Sequence, residues 1–70
     1  PPAQKPLREF VVAVLTTHDD FMTMREIEKA VLEAGYSTNA KVFLHTLKKL
    51  LYDMKKRQEL KYDKDRGFAV

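Results

Sequence analysis

Gly35 stands between two stretches of helical periodicity, and the few residues around it constrain the fold more than any other feature of the chain. The upstream stretch, "FMTMREIEKAVLEAG", carries its own start and stop signals. Thr23 and Glu26 have the spacing of a capping box, and Met22 and Ile27 occupy the positions of a hydrophobic staple. Ile27, Ala30, Val31 and Ala34 form an apolar stripe, after which Gly35 is suited to the left-handed conformation that closes a helix. Beyond "GYST", Ala40, Phe43, Leu47, Leu50, Leu51 and Met54 repeat at helical spacing, which predicts a second helix over residues 38–56. Thr38 or Asn39 is the expected cap, and Lys55, Lys56 and Arg57 suit the negative end of its dipole. Two helices joined by three or four residues including a glycine have the form of a helix-turn-helix unit.

The flanking segments complete the layout. Leu7, Phe10, Val11, Val14 and Leu15 follow the spacing of an amphipathic helix ending near "THDD". "LKYD" and "FAV" alternate around the turn "KDRG" and predict a β-hairpin, with a short pairing strand expected at Phe21 and Met22. The proline-rich start, residues 1–6, reads as a linker remnant before one domain over residues 7–70, and 70 residues leave no room for a second. The expected fold is mainly α with a small β-hairpin. The longest apolar run, Phe10 to Leu15, is far short of the roughly 20 residues of a membrane span. The sequence contains no cysteine, which removes disulfides and favours a reducing compartment, so an intracellular location in the nucleus or nucleoid-associated cytoplasm is expected.

Charge is distributed unevenly. Residues 7–36 hold Arg8, Arg25 and Lys29 against Glu9, Asp19, Asp20, Glu26, Glu28 and Glu33. Residues 37–70 hold nine basic side chains against Asp53, Glu59, Asp63 and Asp65. Such a split within one domain suggests a surface that meets a polyanion.

With a helix before the pair and a hairpin after it, residues 7–70 resemble a winged helix-turn-helix domain, and "REIEKAVLEAGYST" is similar to the HARE winged-helix group of chromatin and restriction proteins. The resemblance implies a DNA-binding module of a larger protein, with the third helix in the major groove and the hairpin as a wing on backbone or minor groove. The residues agree with that implication. At 100° per residue the side of the third helix opposite its leucines collects Thr38, Lys41, Val42, His45, Lys48, Lys49, Tyr52 and Lys56, with no carboxylate among them. Asn39, Lys41, Val42 and His45 are expected at bases or adjacent phosphates, and Lys48, Lys49 and Lys56 at phosphates. In the wing, residues 61–67, Lys61, Lys64 and Arg66 are placed for backbone or minor groove. No arginine lies on the front of the helix, so weak sequence selectivity is expected.

Other features have plainer explanations. His18 is expected to pack or to sit at a helix C-terminus, and "HDD" to be a turn rather than a metal or catalytic cluster. Asp63 and Asp65 belong to a wing turn, Tyr36 to the corner between helices, and Tyr52 either covers the wing or touches backbone. The three methionines, Met22, Met24 and Met54, suit core or staple positions. The sequence holds no phosphate-binding glycine loop and no nucleophile with a base at recognisable spacing, so no enzyme activity, cofactor, metal or small-molecule substrate is expected. The rival to DNA binding is a protein-interaction module, or RNA binding: Val12 and Leu32 lie off the core stripes and would suit a protein partner.

Overall fold

The computed structural model describes residues 5–18, 20–39 and 41–70. Three helices, α1 (Leu7–Thr17), α2 (Met24–Glu33) and α3 (Phe43–Lys56), precede an antiparallel hairpin of β1 (Lys61–Asp63) and β2 (Gly67–Ala69). This is the expected mainly-α fold with a small β-hairpin. Helix α2 packs against both α1 and α3, and β2 lies against α1. Within the core, Val11 and Leu15 of α1, Ile27 and Val31 of α2, and Leu47, Leu51 and Met54 of α3 are at most 1% exposed. Leu60 and Phe68 close that core from the hairpin side, and Met22 from the α1–α2 connection.

Helix α2 has the local grammar expected of it. Glu26 N–H donates to Thr23 Oγ1 at 3.3 Å, and the Thr23 N–H donates to Glu26 Oε1 at 2.9 Å. That backbone donor, and then the Thr23 side chain, hold the Glu26 carboxyl below its ordinary value. At the other end Gly35, with φ 104°, donates to Leu32 O, and Tyr36 N–H reaches back to Val31 O, a complete Schellman closure. Ala34, expected on the buried stripe, is instead the exposed C-cap, because the stripe ends where the chain turns away. His18 is likewise exposed and caps α1 through its backbone N–H to Val14 O, at the helix end rather than in the core.

The main correction concerns α3. It begins at Phe43, not at residue 38, and its N-cap is Val42 with no side-chain cap bond. Thr38 and Asn39 therefore lie in an irregular approach, and the connection from α2 is longer than the three or four residues expected. Tyr36 accounts for the difference: its ring meets Phe10 edge-on at 5.2 Å and stacks on Phe43 at 5.6 Å. With Phe43 stacked on Tyr36, the buried face of α3 opens at Phe43. Ala40, expected in the core stripe, lies outside the described residues, as do Asp19 and the first four positions of the linker.

Helix α3 ends as α2 does but without glycine. Gln58 takes φ 64° and Glu59 N–H bonds to Met54 O at 2.9 Å, so a second Schellman closure turns the chain into the hairpin. The hairpin then docks onto the α1–α2 connection. Met22 and Phe68 exchange both backbone hydrogen bonds at 2.8 Å, which places the expected pairing strand at Met22. The approach is so close that a Cβ at Gly67, where φ is 109°, would stand 2.0 Å from the Met22 carbonyl oxygen. Only part of so short a hairpin meets the core: Leu60 and Phe68 are buried, while Tyr62 and Val70, which share their places in the strand alternation, are 40% and 45% exposed.

Two outcomes are expected. Gly67→Ala combines a left-handed backbone with a clash against main chain, and should cost about 3 kcal/mol, a large part of the stability of a small domain, read by thermal or urea unfolding. Thr23→Ala should cost about 1 kcal/mol. Because the Glu26 carboxyl is depressed in the folded state, its contribution is complete above the ordinary glutamate range and is lost as pH falls through the depressed value. Unfolding measured against pH should therefore show a smaller loss on acidification in Thr23→Ala than in the parent chain.

Candidate nucleic-acid interface

The apolar stripe of α3 dictates what its other side displays. With Phe43, Leu47, Leu51 and Met54 turned inward, the helical repeat sends His45, Lys48, Lys49, Tyr52, Lys55 and Lys56 outward, and all six are exposed. One carboxylate, Asp53, lies at the edge of this face. It is ion-paired with Arg57 one turn on, at 3.2 Å. Lys41 and Val42 stand just before the first turn, Val42 with half its surface exposed, and Thr38 and Asn39 are exposed further upstream.

On the hairpin, Lys61 and Lys64 are exposed, and Lys61 faces Ala69 across the strands. The wing turn is built by Asp63, whose Oδ1 accepts the N–H groups of Asp65 at 2.8 Å and Arg66 at 3.1 Å. Arg66 does not project freely. Its guanidinium is ion-paired with Asp20 and lies 4.7 Å from the centroid of Phe21, which ties the wing turn to the α1–α2 connection. Arg8 is similarly paired with Glu59. Three of the four arginines are thus engaged within the chain, whereas among the described residues no lysine forms an ion pair.

The fold joins α3 to the hairpin through aromatic contacts, of which the sequence offered one, Tyr52 over the hairpin, as an alternative. Tyr52 meets Phe68 edge-on at 6.2 Å, and Tyr62 meets it at 5.0 Å. Lys55 lies over Tyr62, and Lys55 and Lys48 both stand beside Tyr52. Sequence reasoning treated Lys55 only as a dipole-favouring residue and gave Tyr62 only a place in the strand alternation. Of the sequence-derived candidates, Lys48, Lys49, His45 and Lys56 share one helix face, Lys61 and Lys64 lie on the hairpin, and Thr38, Asn39, Lys41 and Val42 precede α3.

Elsewhere on the surface apolar side chains are exposed. Val12 is exposed in an open recess it lines with Phe10, Ala13 and Ala34 beneath Lys5, Arg8 and Glu9, and Leu32 is exposed on α2 without lining that recess. Among the described residues no group of three or more His, Asp or Glu side chains is placed to hold a metal, and no helix is long and apolar enough to cross a membrane. Comparison with protein-family models, with curated proteins and with solved structures finds no match for this chain. The three-helix and hairpin layout is compatible with a winged helix.

The Arg66–Asp20 pair is exposed on both sides, so it should contribute little. A double-mutant cycle with Arg66→Ala and Asp20→Ala is expected to give a coupling of under about 1 kcal/mol at low salt, vanishing in about 1 M salt. A larger, salt-resistant coupling would show that the wing turn depends on this contact.

Proposed function

We propose that the chain is a non-catalytic duplex-DNA-binding module of the winged helix-turn-helix kind, working within a larger protein. The observation that carries this reading is the outward face of α3, where His45, Lys48, Lys49, Lys55 and Lys56 stand exposed and no lysine among the described residues is neutralised by an ion pair. A solvated helix face usually mixes its signs, as α2 does with Arg25, Glu28, Lys29 and Glu33. Here the α3 face enters the major groove, with Lys41, Val42 and His45 nearest the base edges and Lys48, Lys49 and Lys56 on phosphates. Asn39 and Thr38 approach from the irregular segment. Lys61 and Lys64 of the hairpin add backbone contacts, while Arg66, already paired with Asp20, contributes only by giving up that partner. Ammonium groups are point charges without the fork geometry that reads guanine, so selectivity is weak. The location that goes with this role is the nucleus or the nucleoid-associated cytoplasm. A second reading, a protein-interaction module, rests on the exposure of Val12 and Leu32.

Titrating a labelled duplex at several salt concentrations tests the proposal. Log affinity should fall against log salt with a slope of roughly −4 to −5, corresponding to about five neutralised phosphates. Changing Lys41, Lys49 and Lys56 together to alanine should flatten that slope by roughly 3, at about 0.9 per lost contact. Equal affinity of variant and parent would sink the assignment of the α3 face even if binding remained, and absence of salt-sensitive duplex binding by the parent would exclude the DNA reading.

A further inference from the structure

At the junction of α3 with the hairpin, one lysine is held in place by aromatic rings. The Lys55 ammonium stands 4.1 Å from the centroid of Tyr62 and 5.6 Å from that of Tyr52. Lys48 comes within 5.9 Å of the same Tyr52 ring from about one turn away on α3. Both tyrosines rest on Phe68, which is 2% exposed and is clamped to Met22 by paired backbone bonds. The notch therefore has a fixed floor, and its rings remain about 40% exposed.

Gathering two ammonium groups at one ring leaves their mutual repulsion to be offset. The ring faces attract each cation, but among the described residues no carboxylate forms an ion pair with either. What the notch lacks is an anion. Held lysines also lose less rotamer freedom on binding than free ones, and the two phenol hydroxyls are added donors for anionic oxygen. We propose that Lys48, Tyr52, Lys55 and Tyr62 form a binding site for a backbone phosphate of the duplex, so that one strand is gripped between α3 and the hairpin. The inference rests on the DNA-binding reading above and adds three residues to it, Lys55 as a phosphate contact and Tyr52 and Tyr62 as the rings that position it.

Anisotropy titrations of a labelled random-sequence duplex test the site with Lys55→Gln, Tyr62→Leu and the double variant, each shown to be folded by its circular dichroism melt. Lys55→Gln should weaken binding by about 3- to 10-fold and flatten the salt slope by about 0.9. Tyr62→Leu should weaken it less, and the double variant should be no weaker than Lys55→Gln alone, because the ring acts through the lysine. Polyglutamate at matched charge should compete poorly. If Lys55→Gln binds as the parent does while the variant of Lys41, Lys49 and Lys56 is weakened, the notch is idle although the DNA reading stands. Additive losses would refute the positioning role of Tyr62. Equal competition by polyglutamate would overturn phosphate in favour of an acidic protein segment, and absence of DNA binding by the parent would remove both proposals together.

Discussion

Two backbone hydrogen bonds between Met22 and Phe68 hold this molecule's halves together. They join the loop between the first two helices to the last strand, and they require the chain at Gly67 to come within the space a side chain would fill. Without this contact the hairpin would have only a two-stranded ladder of three residues, which is marginal by itself in water. With it, Phe68 becomes a buried member of the core and the floor on which Tyr52 and Tyr62 rest. The packing of α3 and the position of the hairpin are in this sense one constraint.

Much of this was legible in the sequence wherever a local rule and the apolar pattern agreed. The capping box at Thr23 and Glu26, the closure at Gly35, the inward stripe from Phe43 to Met54 and the pairing at Met22 each follow from residue type and spacing. The failures fall where tertiary contacts override local signals. Thr38 and Asn39 look like caps, but the stacking of Tyr36 on Phe43 sets where α3 begins. Gln58 gives no glycine signal, yet it takes the left-handed conformation because Glu59 must bond back to Met54.

The candidate surface was less legible than the fold. Periodicity was enough to gather His45, Lys48, Lys49 and Lys56 on one side of α3. It was silent on which charges the chain keeps for itself. The engagement of Arg66 by Asp20, 46 positions away, and the meeting of Lys55 with Tyr62 across the junction depend on where the hairpin docks. Strand alternation put Leu60 and Tyr62 on one side of the strand, yet Leu60 is buried and Tyr62 is 40% exposed.

The division of labour between the two kinds of cation has a kinetic meaning. Guanidinium forks hold directional bonds and are used here to fasten one part of the chain to another, as in Arg8 with Glu59 and Arg66 with Asp20. The ammonium groups left outside, apart from those held at Tyr52 and Tyr62, are point charges with freely rotating donors, so a row of anions would shift past them with little change in energy. On the proposed DNA-binding reading, such a surface would favour lateral diffusion along the polymer over arrest at one register.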